Sequence, residues 1–162
     1  KYVSFNFTLE EIGYVGGAQA LYRDLQSILD HPESKIVIEL SESALNARVN
    51  EDVLIEELSR LRAYGYKIAL DDFGVERSNI QRLQHYPIDI VKLDRSLIMD
   101  LETSEKARKM VGALAVLLKS LELDVTVEGI ETEEQAQILN DFGLTIHQGY
   151  LYSKPVHPNE LE

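Results

Sequence analysis

The sequence predicts an α/β fold, and within that class a TIM-like (β/α) barrel, on three observations. Short segments rich in β-branched residues alternate with longer amphipathic segments along the chain. The strand-like segments are almost continuously apolar, which is typical of parallel strands buried on both faces. Polar residues lie at or just beyond the carboxyl end of nearly every predicted strand. A barrel brings those ends to one rim, whereas an open doubly wound sheet spreads them along a crevice, so we favour the barrel.

The predicted elements alternate strictly. Strands are predicted at residues 3–8, 35–40, 67–71, 89–93, 124–127 and 146–150, and helices at 18–29, 52–64, 78–85, 107–121 and 133–142. The fourth helix is marked by an apolar stripe that includes Met110, Val111 and Leu118, while Gly65 and Gly143 are placed to end two others. A complete barrel has eight strands and about 250 residues. We therefore expect one domain over residues 1–162, truncated at its N-terminus and incomplete, with about six of the eight strands.

The composition excludes several classes of protein. With 44% hydrophobic and 27% charged residues, the chain is close to the average for globular domains. Its net charge of −12 disfavours a non-specific grip on DNA or RNA, so a phosphate ligand would need metal ions as intermediaries. Cysteine is absent, which excludes a disulfide framework or a thiolate site, and no apolar run reaches membrane-spanning length. We expect a cytoplasmic domain, although the parent protein could be anchored in a membrane.

Two consecutive carboxylates, Asp71 and Asp72, stand at the end of the third predicted strand. Adjacent strand residues point to opposite faces, so both can reach one pocket only where the strand breaks, and Gly74 is placed to supply that break. Such a pair suits two hard divalent cations, because one carboxylate can bridge both ions. A single Asp-Asp pair is more often a solvated turn. Here, however, further oxygen ligands are predicted on the same rim, namely Asn6, Glu39 and Glu128.

Three more polar residues are candidates for catalysis or for structural support. Lys92 lies in a strand that we expect to be buried, where an ammonium ion is costly unless an acidic group pairs with it. It could be satisfied by Asp94 or by a rim carboxylate, or it could stand beside an activated water. Glu42 and Glu131 each follow a rim carboxylate by three residues. That position suits a helix cap or a loop anchor as well as a catalytic role.

Six short motifs follow one another along the chain. They are Ser-Phe-Asn-Phe-Thr at 4–8, Ile-Glu-Leu-Ser-Glu-Ser at 38–43, Ile-Ala-Leu-Asp-Asp-Phe-Gly at 68–74, Val-Lys-Leu-Asp-Arg-Ser at 91–96, Val-Glu-Gly-Ile-Glu-Thr at 127–132 and Gln-Gly-Tyr-Leu at 148–151. In content, order and spacing they resemble the EAL-domain cyclic-di-GMP phosphodiesterases, and the resemblance covers essentially the whole chain.

The resemblance implies hydrolysis of cyclic-di-GMP to the linear dinucleotide pGpG with two Mg²⁺ or Mn²⁺ ions. It implies that the first ion is bound by Asn6, Glu39 and Asp71, and the second by Asp71, Asp72 and Glu128. It further implies that the water is oriented or activated by Lys92 and Gln148, and that the loop after Asp72 is braced by Glu42 and Glu131. A homodimer, and sensory or GGDEF-type domains elsewhere in the parent chain, are compatible with the resemblance. The residues that would bind the substrate are not identified.

Two departures from the family pattern leave an alternative open. The Glu-Ala-Leu motif, which carries a ligand of the first ion, does not occur in the sequence, so we expect this chain alone to be impaired as an enzyme. In addition, Glu76 stands where the loop after the Asp pair usually has a second glycine. The alternative is therefore a degenerate EAL domain that acts as a cyclic-di-GMP receptor or a protein scaffold. A kinase interpretation of Asp72-Phe73-Gly74 fails because no glycine-rich loop or His-Arg-Asp segment accompanies it.

Overall fold

The computed structural model describes residues 2–28, 35–41, 49–75, 80 and 82–157. The strands are β1 (Tyr2–Asn6), β2 (Lys35–Ser41), β3 (Lys67–Phe73), β4 (Ile90–Leu93), β5 (Asp124–Val127) and β6 (Ile146–His147). The helices are α1 (Leu9–Ile12), α2 (Gly17–Ile28), α3 (Glu51–Ala63), α4 (Arg82–His85), α5 (Glu105–Ser120) and α6 (Glu133–Asp141), with a turn of 3-10 helix at Arg95–Leu97. The strand order of the sheet is the chain order. The chain forms two compact units, residues 1–91 and 92–162, that divide inside β4.

The first unit is built on three parallel strands. β1 pairs with β2 from Tyr2 opposite Lys35 to Asn6 opposite Glu39, and β2 pairs with β3 from Val37 opposite Lys67 onward. β2 and β3 are buried because their side chains are apolar on both faces, as in Ile-Val-Ile of β2 and Ile-Ala-Leu of β3. In β1, by contrast, Val3, Ser4 and Asn6 are exposed. The continuous apolar runs thus predicted parallel strands correctly, and buried strands correctly for β2 and β3.

A buried carboxylate joins two helices of this unit. Glu57 of α3 is only 1% exposed, and its two oxygens accept hydrogen bonds from the backbone N–H groups of Gly16, at 3.1 Å, and Ala18, at 2.9 Å. Arg60 donates a further hydrogen bond to it at 2.9 Å. Since the first N–H groups of a helix lack partners within the helix, Glu57 supplies the cap that the start of α2 needs.

The second unit holds the end of β4, the 3-10 turn, α5, β5, α6 and β6. β5 and β6 pair in parallel through Thr126 opposite Ile146, and the Glu128 N–H group donates to the Leu93 carbonyl at 3.0 Å. The buried side of α5 is formed by Val111, Ala115 and Leu118. Met110, which we assigned to that side, is exposed, because the buried side follows positions i, i+4 and i+7 from Val111.

Two helices end just before the glycines that we predicted to stop them. α3 is capped at its start by Asn50 and ends before Gly65, which has a φ of +91°. α6 ends before Gly143, which has a φ of +70°. Both glycines therefore hold the left-handed conformation expected just beyond a helix.

Two predicted boundaries need correction, and a third lies largely outside the described residues. The first strand ends at Asn6 rather than 8, because Thr8 starts the unpredicted helix α1, where the Glu11 carboxylate accepts hydrogen bonds from the Thr8 N–H, at 2.7 Å, and hydroxyl, at 2.9 Å. The last strand ends at His147 rather than 150, because a turn begins at Gly149. The third predicted helix is described only at 82–85, its earlier part lying outside the described residues apart from residue 80. Within the described ranges, every helix is too short or too polar to cross a membrane.

Candidate active site

Three of the predicted metal ligands share one face of the first unit's strands. Asn6, the last residue of β1, lies opposite Glu39 of β2, which in turn lies opposite Ala69 of β3. Asp71 comes two residues after Ala69, and side chains two residues apart point to the same face of a strand. The register therefore places Asn6, Glu39 and Asp71 on one side of these strands, with Glu39 buried and Asn6 exposed.

Asp72 has an unusual backbone conformation. Its φ is +58°, in the left-handed region that few residues other than glycine adopt, and its N–H group donates to the Asp71 carboxylate at 3.0 Å. We predicted that Gly74 would break the strand after the acidic pair. Gly74 does have a φ of +103°, but the regular alternation is already interrupted at Asp72, and the strand assignment extends to the buried Phe73. Because Asp tolerates this region better than most residues, the break occurs inside the acidic pair itself.

Two of the predicted site residues in the second unit form a nearly buried ion pair. The Lys92 Nζ atom lies 2.8 Å from Glu128 Oε1, with the two side chains 10% and 19% exposed. The backbone brings these residues together because the N–H group of Glu128 bonds to the carbonyl of Leu93, the neighbour of Lys92. Of the two pairings that we considered for Lys92, the structure has the one with a rim carboxylate. Such a pair is costly to break, because the remaining charge would be left in a poorly hydrated place.

Asp94, the other acidic residue considered for Lys92, has a local structural role. Its carboxylate accepts a hydrogen bond from the Ser96 N–H group at 2.8 Å and caps the 3-10 turn. Burial raises the pKa of this carboxyl, but hydrogen bonds from Ser96 and Arg95 and the Arg95 charge together outweigh burial and hold the pKa below its usual value.

Gln148 and Glu131 lie in two loops that are hydrogen-bonded to each other and to β5. The Gln148 N–H group donates to Val127 at 2.8 Å, and the Gln148 carbonyl accepts from Ile130 at 3.1 Å. Glu131 Oε1 lies 3.0 Å from Arg95 Nη2, with both side chains about half exposed. Glu42 and residues 76–79 of the loop after Asp72 lie outside the described residues. The bracing role of Glu42 and Glu131 therefore stays a prediction.

The predicted metal ligands all offer oxygen atoms. Four carboxylates and one amide are the oxygen ligands that Mg²⁺ and Mn²⁺ prefer. Within the part of the chain that the structure describes, no group of three or more His, Cys, Asp or Glu side chains is arranged to hold a metal ion. The ligand assignment accordingly stays a prediction.

The sequence interpretation assigned no role to Arg95, although it lies in one of the six motifs. Its side chain contacts both Gly129 and Glu131, in the loop that follows β5. The signal that could have found it is the glycine directly after Glu128, since a glycine beside a functional residue often marks a close approach by another group.

Comparison with known proteins places this arrangement in a family. The EAL domain family matches residues 3–155, which is nearly the whole chain. The chain belongs to the EAL domain family. It is 32% identical over 143 residues to a protein of Pseudomonas aeruginosa named cyclic di-GMP phosphodiesterase RocR, covering 86% of this chain and 36% of that protein. The chain thus spans little more than a third of the length of this relative.

Solved structures confirm the predicted fold class. The EAL domain of Mycobacterium smegmatis DcpA matches 97% of this chain with a TM-score of 0.86 at 27% identity, and 69% of that chain is covered. Klebsiella pneumoniae BlrP1, solved as a complex with manganese and cyclic-di-GMP, matches 94% of this chain with a TM-score of 0.81 at 27% identity, covering 38% of that chain. The α/β fold of this chain is therefore that of the TIM-like EAL domains.

Proposed function

We propose that this chain is the part of its protein that hydrolyses cyclic-di-GMP to pGpG with two divalent cations, Mg²⁺ or Mn²⁺. The observation that carries the proposal is the Lys92–Glu128 ion pair, at 2.8 Å, in a chain that belongs to the EAL family. The name of the RocR relative and the manganese and cyclic-di-GMP complex of BlrP1 support the same substrate and the same class of cofactor.

The residues assigned to the cations fit them by chemistry, since all are oxygen ligands. These residues are Asn6, Glu39, Asp71, Asp72 and Glu128. When bound, two such cations stabilise charge on the attacking and leaving oxygens of a phosphodiester. The chain has a net charge of −12 and the substrate is also an anion. Cations bound by these oxygen ligands would lie between the two negative partners and neutralise part of the charge on each.

The protein's own contribution is to hold charged groups in place. The Lys92 ammonium fixes the Glu128 carboxylate and brings positive charge to a position where an anionic substrate would need it. The backbone of Gln148 is held by hydrogen bonds to Val127 and Ile130, which fixes this residue beside the Glu128 segment. We assign Lys92 and Gln148 to the orientation of the attacking water, with Glu42 and Glu131 as supports of the neighbouring loop.

The proposal is tested by turnover in the full-length protein. With saturating Mn²⁺, we expect conversion of cyclic-di-GMP to pGpG, measured by chromatography, and its loss when EDTA removes the cation. Lys92→Ala and Glu128→Gln should each lower kcat by roughly a hundredfold or more, because each removes a charge placed for the reaction. Lys109→Ala is the matched control, since Lys109 forms an exposed ion pair with Glu105 at 2.7 Å on α5.

The same assay separates this function from its alternative. A protein that binds cyclic-di-GMP tightly, by calorimetry, but forms no pGpG with either cation is a receptor, and the hydrolase proposal is then wrong. Full activity in the folded Lys92→Ala protein would reject the role assigned to Lys92.

A further inference from the structure

Arg95 contacts the segment 128–131, here called the Glu128 loop, at two points. Its guanidinium Nη2 lies 3.0 Å from the Glu131 carboxylate. Its aliphatic stem lies against Gly129, where a Cβ atom would be 2.5 Å from the Arg95 Cβ, 2.7 Å from its Cγ and 2.9 Å from its Cδ. No real Cβ atom tolerates such distances, so the space that a side chain at position 129 would need is filled by the stem of Arg95.

The backbone of Gly129 also requires a glycine, because its φ is +71°. This conformation turns the chain directly after Glu128. The loop is next held by Ile130, which is fully buried and whose N–H group donates to Gln148 at 3.1 Å. The Ile130 carbonyl accepts from Leu151 at 3.0 Å, so the Glu128 loop and the loop of Gln148 are fastened to each other by backbone hydrogen bonds.

The end of β4 and the turn after it therefore contact the Glu128 loop at several residues. Lys92 binds the Glu128 side chain, the Leu93 carbonyl accepts from the Glu128 N–H group, and Arg95 contacts Gly129 and Glu131. Arg95 is itself fixed, because the Asp94 carboxylate caps the turn that begins with it. An exposed ion pair contributes little by itself, so the contact of the stem with Gly129 is the larger part of this interaction.

We propose that Arg95 is a positioning residue for the reaction. It holds the Glu128 loop against the end of β4, so that the Glu128 carboxylate stays at Lys92 and the Gln148 loop stays beside it. The inference rests on the proposed function for its effect on turnover, but not for its effect on the loop itself. The side chain does not touch the reacting atoms, and its effect passes through Glu128 and Gln148.

The experiment compares Arg95→Ala, Arg95→Met, Arg95→Lys and the control Lys109→Ala in the full-length protein. Without any ligand, hydrogen exchange by NMR or mass spectrometry should be about tenfold faster at the Ile130 and Leu151 amides in Arg95→Ala than in the unmodified protein. The Met and Lys variants keep the stem and should restore slow exchange. Lys109→Ala should leave exchange unchanged at both amides.

The kinetic part should show a matching pattern. Arg95→Ala should lower kcat for cyclic-di-GMP by roughly tenfold to a hundredfold with little change in KM, because misplaced groups act on the reaction more than on binding. Arg95→Lys should recover most of kcat, and Arg95→Met should recover more of it than Arg95→Ala does.

The outcomes distinguish the two proposals. If the unmodified protein forms no pGpG, the proposed function is wrong, and the role of Arg95 in holding the Glu128 loop is then tested by the exchange rates alone. Unchanged exchange at Ile130 and Leu151 in Arg95→Ala overturns the positioning role, as does a uniform increase at all amides, which would mean a loss of global stability. Changed exchange with unchanged kcat would reject the link from the loop to catalysis.

Discussion

Removing one partner of the Lys92–Glu128 ion pair should destabilise the protein much more than replacing both partners with apolar residues. Removing one partner of a buried ion pair costs about 3–5 kcal/mol, because the other charge stays in a poorly hydrated place and loses a close opposite charge. Glu128 keeps 19% of its side chain exposed, so part of its hydration is retained and the lower end of that range applies. We therefore expect Lys92→Met to lower the free energy of unfolding by about 3 kcal/mol, roughly a hundredfold in the folding equilibrium.

The double variant Lys92→Met with Glu128→Leu should be much closer to the unmodified protein, because neither charge is then buried. Urea unfolding followed by circular dichroism of the unmodified protein, Lys92→Met, Glu128→Leu and the double variant gives the coupling energy of the pair. Lys109→Met is the control, since Lys109 and Glu105 form an ion pair whose side chains are 76% and 80% exposed, and its loss should cost less than about 1 kcal/mol.

This experiment measures stability and not turnover, so its result does not depend on the proposed activity. If Lys92→Met is destabilised no more than the control Lys109→Met, the Lys92–Glu128 pair contributes no more to stability than an exposed ion pair, and the prediction is wrong. If the double variant is no more stable than the sum of the two single changes predicts, the two charges do not stabilise each other.

Three other predictions concern stability. Glu57→Ala should lower the free energy of unfolding by about 3 kcal/mol in thermal melts, because it removes the cap of α2, whereas the neighbouring Glu56→Ala, with a side chain 64% exposed, should cost less than about 1 kcal/mol. Gly65→Ala should cost roughly 1 kcal/mol by the same measurement, from its φ of +91° alone, because no atom lies within 4 Å of the added methyl. The pKa of Asp94 lies below the ordinary 3.8 in the folded protein, so the ionised carboxylate stabilises the fold above pH 3.8, and this stabilisation is lost as the pH falls through the lower, folded-state pKa. The free energy of unfolding, measured from neutral to acid pH, should show a weaker dependence on pH in Asp94→Asn than in the unmodified protein.

Local sequence signals predicted most of the fold. Continuous apolar runs predicted the strands, and Gly65 and Gly143 marked helix ends correctly because each must adopt a positive φ there. Helix α1 was missed, since its four residues are too few to show a period and its start depends on the bonds between Glu11 and Thr8. Met110 was misassigned because a list of apolar residues does not reveal which side of a helix packs against the sheet.

The candidate site was predictable as a set of residues but not as a set of contacts. The sequence placed Lys92 in a buried strand and required an acidic partner for it, yet only the structure identifies that partner as Glu128 rather than Asp94. The role inferred for Arg95 depends on a close approach to Gly129, which lies 34 positions later in the chain (129 minus 95). Such long-range contacts leave no periodic pattern in a single sequence.

The left-handed backbone of Asp72 determines which substitutions can be interpreted at that position. Asparagine tolerates a φ of +58° about as well as aspartate, so Asp72→Asn removes the charge and leaves the turn intact. Alanine lacks a polar side chain to support this conformation, so Asp72→Ala changes charge and backbone together. A loss of activity in the alanine variant could then reflect a displaced Asp71. Neutral drift at this position should accordingly favour asparagine and glycine over the chemically closer glutamate.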